Sequence, residues 1–227
     1  IGNAGVGSVT SVTKTGAGPW SLTNAGNSYT GRTTVNGGVL NIATVANEGA
    51  NSSIGASSDA AARVSGVAPL PNLVLDGSTL RYTGAGHSTN RHFALGAGGG
   101  SIDASGTGPL VFNQWWTVAH AGSDAAKTLT LTGSNTGANT LGLVLKDYDF
   151  GAPDGSQGFG GPLSLTKSGT GTWVIPATVA NQPSGDVFQN YHTGPTQILG
   201  GVLQVAKLAN GGSPSHIGAS SAAPENL

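Results

Sequence analysis

The sequence predicts an all-β fold, a parallel β-helix (β-solenoid) of roughly nine to eleven coils. Three observations predict it. Apolar residues fall in short alternating runs between Gly, Asn, Asp and Pro, the pattern of short strands and tight corners. Helix signals are almost missing: only Ser57–Val64 sets a cap-like Ser or Asp before good helix formers, enough for one or two turns. The chain also repeats itself, and a repeat too small to bury its own apolar face must bury it against the next one.

The repeat is read from three blocks. Ser11–Trp20 (Ser-Val-Thr-Lys-Thr-Gly-Ala-Gly-Pro-Trp) returns as Ser164–Trp173 (Ser-Leu-Thr-Lys-Ser-Gly-Thr-Gly-Thr-Trp), 153 residues later. Gly31–Leu40 matches Gly194–Leu203 at an offset of 163, and Ser53–Ser58 matches His216–Ser221. About ten residues are thus inserted after Trp173, in the stretch Pro176 to Tyr191, where a projecting loop is expected. The expected organisation is one continuous solenoid over 1–227, with copy one at 11–163 and a partial copy two at 164–227. Leu73 opens a strong strand pair in copy one, and the second copy stops where its equivalent should begin. The sequence therefore reads as about one and a half repeats of a longer chain.

The strands share one module. Val35, Leu40 and Ile42 flank Gly37 and Gly38; Leu75, Leu80 and Tyr82 flank Gly77; Ile198, Leu203 and Val205 flank Gly200 and Gly201. Glycine turns a chain sharply without a Cβ clash, so each module reads as strand, corner, strand. Alternate residues then face one interior and Thr, Asn, Gln, Ser and Arg face out. Ala94–Ile102 and Gly106–Phe112 read as strands broken by Gly corners, and Leu129–Leu131, Leu141–Leu145 and Leu163–Leu165 as further strands. Punctuation by Gly-Gly and Gly-x-Gly, rather than two-residue Asn-Gly hairpin turns, favours a chain that winds forward. Coils of about 20–25 residues give the coil number above, and a spacing of about 4.8 Å per rung gives a rod about 45–50 Å long.

Composition narrows function. Only 9 basic and 10 acidic residues occur in 227, for a net charge of −1, so no field draws in nucleic acid or anionic lipid. Cysteine is absent, which removes disulfides, thiolate catalysis and Cys-ligated metal. No apolar run is long enough for a transmembrane helix. Glycine, at 39 residues, supplies the corners.

The motifs Leu165-Thr166-Lys167-Ser168-Gly169-Thr170-Gly171-Thr172-Trp173 and Thr193-Gly194-Pro195-Thr196-Gln197-Ile198-Leu199-Gly200-Gly201-Val202-Leu203 resemble the autotransporter-associated β-strand repeat. The first copy, with Tyr29-Thr30-Gly31, resembles it equally, and Asn90-Arg91 to Ile102-Asp103 looks like a companion repeat of the same bacterial surface proteins. The resemblance implies a right-handed parallel β-helix in an exported adhesin, stalk or fibre. It implies no catalytic residues.

Candidate chemistry is sparse. Asp147, Asp149 and Asp154 form the densest carboxylate group and suit a weak Ca²⁺ site or paired acid–base work; the preferred reading is a solvated Gly-rich loop. No cofactor is expected beyond that weak Ca²⁺ candidate. His87, Arg91 and His92 cluster, and a structural role is preferred. His192 aligns with Tyr29, which marks a packing position. In Trp115-Trp116 neighbouring residues face opposite ways, so one ring is expected inward and one outward, available to a surface polysaccharide or a partner. Trp20 and Trp173 recur at the motif position and read as structural.

Two functions follow. The first is a structural segment of an extracellular or cell-surface fibre or adhesin, not an enzyme, whose partners are copies of itself or adjacent repeats. The alternative is a carbohydrate-binding or polysaccharide-cleaving β-helix.

Overall fold

A computed structural model describes residues 1–58, 71–148 and 160–223. Its elements are β1 (Val12–Thr15), β2 (Trp20–Leu22), β3 (Thr33–Ile42), β4 (Leu73–Tyr82), β5 (Ala85–Thr89), β6 (Ala94–Leu95), β7 (Gly100–Ala104) and β8 (Gly108–Thr117). They continue with β9 (Ala119–His120), β10 (Lys127–Thr132), β11 (Asn139–Val144), β12 (Leu163–Lys167), β13 (Thr172–Ile175), β14 (Thr196–Ile198) and β15 (Val202–Val205). No helix occurs among the described residues. Most of the expected Ser57–Val64 helix lies outside them.

Every pairing between these strands is parallel. The strands form one ten-stranded and one five-stranded sheet. Parallel neighbours need a crossover between them, so the chain winds forward, consistent with a β-solenoid. The larger sheet carries two ladders, because β3 and β4 bend at the expected glycines. Gly37, Gly38 and Gly77 all have positive φ. The first half of β3 pairs with β1, Val12 opposite Thr33, and the second half with β2, Trp20 opposite Leu40. One ladder runs β1, β3, β4, β6, β9; a second runs β2, β3, β4, β7, β10, β12, β14; the third is β5, β8, β11, β13, β15.

These ladders revise the expected spacing. Steps of 20 to 22 residues occur, as from Trp20 to Leu40 or from Leu80 to Ile102, and so do steps of 40, as from Leu40 to Leu80. The longest ladder has seven strands among the described residues. The two copies also sit on different ladders. The Lys-bearing strand of copy one, β1, lies on the first ladder, whereas its equivalent β12 lies on the second. The Trp-bearing strands β2 and β13 are displaced in the same way, from second to third.

Alternation puts one apolar face inside. Leu40, Leu80, Ile102 and Leu131 stand in register in one column, and Val35, Leu75 and Leu95 in another. All seven are buried in one continuous core. No column closes without the coil above and below, so its stability is shared between neighbours.

Candidate functional site

The side chains that recur between copies are the fold's organising site. Within β1, Lys14 occupies an inward position and is fully buried, its ammonium reaching the corner that follows. Its ammonium Nζ donates to the carbonyls of Gly16 at 2.5 Å and Gly37 at 2.9 Å. In copy two, Lys167 is equally buried and donates to Ser168 at 2.5 Å, Gly169 at 3.2 Å and Gly200 at 2.9 Å. Corner carbonyls have no ladder partner, and a three-donor ammonium satisfies several at once. Burial lowers the Lys167 pKa. Sequence reading quoted this lysine within the motif but assigned it no role; the missed signal was a charged residue at an inward step of an alternating strand, twice.

The second recurring cluster closes the loop after the Gly-Gly corner. Asn27 donates to Ser53 O at 3.0 Å, and Asn190 to His216 O at 2.7 Å. Ser53 Oγ accepts from the Ala43 amide, and His216 Nδ1 accepts from the Ala206 amide at 3.0 Å. Tyr29 Oη meets Thr33 Oγ1 at 2.7 Å, and His192 Nε2 meets Thr196 Oγ1 at 3.1 Å. Each of these threonine hydroxyls donates onward to the carbonyl of Ile54 or Ile217. One hydrogen-bond scheme is therefore built twice with different side chains.

Glycines fit this scheme closely. A Cβ on Gly38 would lie 2.6 Å from two carbonyl oxygens, and one on Gly201 2.5 Å from two, both at positive φ. Gly200 contributes the carbonyl that Lys167 binds.

The Trp pair differs between copies. Trp173 is fully buried and its Nε1 donates to Thr132 O at 2.9 Å, on the preceding coil. Trp20 is 48% exposed.

Trp115 and Trp116 lie where β8 loses register with β11, between Gly142 and Val144. Such a bulge re-aims side chains. Trp115 packs on the core edge, its ring 5.9 Å from that of Phe188. Trp116 is 36% exposed and stacks on His92 at 6.1 Å.

The insertion after Trp173 does not project as expected. It folds back across β11 onto the β8 bulge: Trp115 N donates to Ala180 O at 3.0 Å, and the Ala180 amide to Asn113 Oδ1 at 2.9 Å. Asn181 reaches Gln114 at 2.8 Å. The strap follows because the bulge leaves backbone and amide groups that β11 cannot pair, and Gly142 leaves room for Val179.

The remaining candidates are structural in their contacts. The Arg91 guanidinium is buried and donates to the carbonyls of Ala46, Asn47, Ala50, Gly55 and Ser57, gathering that loop around itself. Burial pushes its pKa down to about 10. His87 Nδ1 lies 2.8 Å from Tyr82 Oη. Both Asp147 oxygens accept hydrogen bonds, Oδ1 from the Leu163 and Thr193 amides and Oδ2 from the Thr193 amide and hydroxyl. Asp147 thus caps a loop. Asp149 and Asp154 lie outside the described residues. Among the described residues, no three His, Asp or Glu side chains are grouped so as to hold a metal ion.

Comparisons with known proteins fit this geometry. The model of the passenger-associated-transport-repeat matches residues 12–42 and 165–205, the two Lys-Trp segments with their Gly-Gly corners. Over 230 residues the chain is 44% identical to a curated protein, Adhesin BmaC autotransporter of Brucella suis biovar 1 (strain 1330). That match takes in 100% of this chain and 6% of the relative's length. No solved structure matches the chain. The two segments that carry the Lys-Trp motif are thus similar to the passenger-associated-transport-repeat, and the whole chain is similar to one stretch of an autotransporter adhesin.

Proposed function

We propose that the chain is a structural segment of a bacterial extracellular or cell-surface adhesin or fibre, and that it acts by stacking repeats rather than by catalysis. The observation that carries this is the repetition of the Lys, Asn and Thr corner clusters, which bind each coil to its neighbours. Identity to an autotransporter adhesin along the whole chain supports the surface location. The coils form one continuous solenoid, and a right-handed winding is supported by the strong preference of parallel crossovers for that hand. Its partners are adjoining repeats or copies of itself. Low charge leaves little repulsion between neighbouring rods. The reading requires no cofactor.

A second reading, binding of a surface polysaccharide, is favoured by one observation: the Trp116 ring is partly exposed and backed by His92. One comparison tests both. Electron microscopy and sedimentation across a concentration series are expected to show rods that lengthen head to tail, with Trp116→Ala unchanged. Rods of fixed length at every concentration, together with glycan binding lost in Trp116→Ala, would replace the first reading by the second.

A further inference from the structure

The two copies close the same loop with different chemistry. Copy one uses Tyr29 and Ser53; copy two uses His192 and His216 in the equivalent bonds. Neither the Tyr hydroxyl nor the Ser hydroxyl gains a proton in mildly acidic water, whereas an imidazole does.

The geometry holds both histidines neutral. His216 Nδ1 accepts the Ala206 amide at 3.0 Å, so Nδ1 carries no proton; Nε2 then donates to Phe188 O at 3.0 Å. A second proton on Nδ1 would point at the Ala206 N–H and break that bond. For His192, the Thr196 hydroxyl gives its hydrogen to Ile217 O at 2.9 Å and so accepts from His192 Nε2. His192 Nδ1 is buried with no hydrogen-bond partner among the described residues. A proton placed there has no acceptor.

The charged groups facing these rings do not rescue the charge. Lys207, on the loop after β15, faces His216 and binds Gln189 at 2.6 Å; its charge opposes protonation. The carbonyls of Phe188 and Ile175 favour a proton there, less than burial disfavours it. Asp147, in the loop after β11, favours protonation of His192, but both its oxygens are held by Leu163 and Thr193. Burial outweighs it and lowers His192 to about 4.

We propose that copy two is an acid-sensitive latch: protonation of His192 and His216 releases the segment from Phe188 to Ser221, while the equivalent loop of copy one, Asn27 to Ser58, stays closed. Release frees Phe188, whose carbonyl binds His216 and whose buried ring packs on Trp115. Mild acid then raises the population in which the Phe188 ring is bared on one repeat. The latch is a property of the coil itself and holds whichever partner the surface takes.

The sign follows from linkage. An imidazole whose folded pKa lies below its free value of about 6.5 contributes closure that is fully present above that pH and is lost as pH falls toward the folded value. Hydrogen exchange read by mass spectrometry from pH 7.5 to 5, corrected for the intrinsic rate, tests the latch. Residues 188–221 should open about thirtyfold more at pH 5 through His192 alone, with 27–58 changing less than twofold. His192→Tyr with His216→Ser installs the copy-one pair and should abolish the response. Equal loss of protection in both copies, or an acid response that survives the double variant, would overturn the proposal. If the double variant does not fold, imidazole NMR of the unaltered chain decides: normal titration near 6.5 with unshifted amides in 188–221 also overturns it.

Discussion

The Trp of copy one and the Trp of copy two sit in matching motifs and have opposite surroundings. Trp173 is sealed by the coil before it, through Thr132 O; Trp20 is half exposed in β2, the first strand of its ladder among the described residues. The buried lysines show the reverse lesson. Lys14 and Lys167 are both fully covered and bind equivalent corner carbonyls, because those carbonyls come from the lysine's own corner and the next strand rather than from a preceding coil. A motif residue that binds forward or locally is satisfied wherever the motif occurs. One that binds backward depends on what stands behind it.

The sharpest way to break this comparison is to remove the indoles. Trp173→Ala empties a buried ring site and strands a carbonyl, and should cost about 3–5 kcal/mol in chemical unfolding. Trp20→Ala should cost under about 1 kcal/mol. Equal losses would mean that Trp20 is buried in solution.

The lysines should behave alike, with a smaller effect. Lys167→Met keeps most of the volume but leaves corner carbonyls unsatisfied, for a loss of about 2–3 kcal/mol, and Lys14→Met should match it. A neutral outcome at either site, read by thermal unfolding, would show that water replaces the ammonium there.

The corner glycines extend the comparison to the backbone. Gly77 has φ of 56° but nothing within 4 Å of an added Cβ, so Gly77→Ala should cost about 1 kcal/mol, from backbone strain alone. Gly201→Ala, with two carbonyl oxygens 2.5 Å from its Cβ, should cost more. The difference between the two measures close approach separately from φ.

Much of this was legible in residue order. The module around Gly37 and Gly77 appears as β3 and β4, each bending at its glycine. The runs at Leu129, Leu141 and Leu163 appear as β10, β11 and β12. Alternation and Gly are local signals, so they survive without knowledge of neighbours. The alignment of His192 with Tyr29 was also visible, and the structure gives them equivalent threonine partners, Thr196 and Thr33. The strap was not legible. Pro176 to Tyr191 looks like any loop insertion, and its docking depends on a β8 bulge 67 residues earlier.

The sequence by itself determined an all-β chain with a period, glycine corners, an apolar interior and a repeated Lys-Trp motif, because each depends on residues a few positions apart. Only the tertiary structure decided that copy two stands one ladder round from copy one, that the Trp173 indole is sealed against Thr132 O, and that the inserted segment covers β8. Those outcomes are set by coil length and by which coil lies behind, and coil length is a sum over loops whose residues carry no signal of where they return.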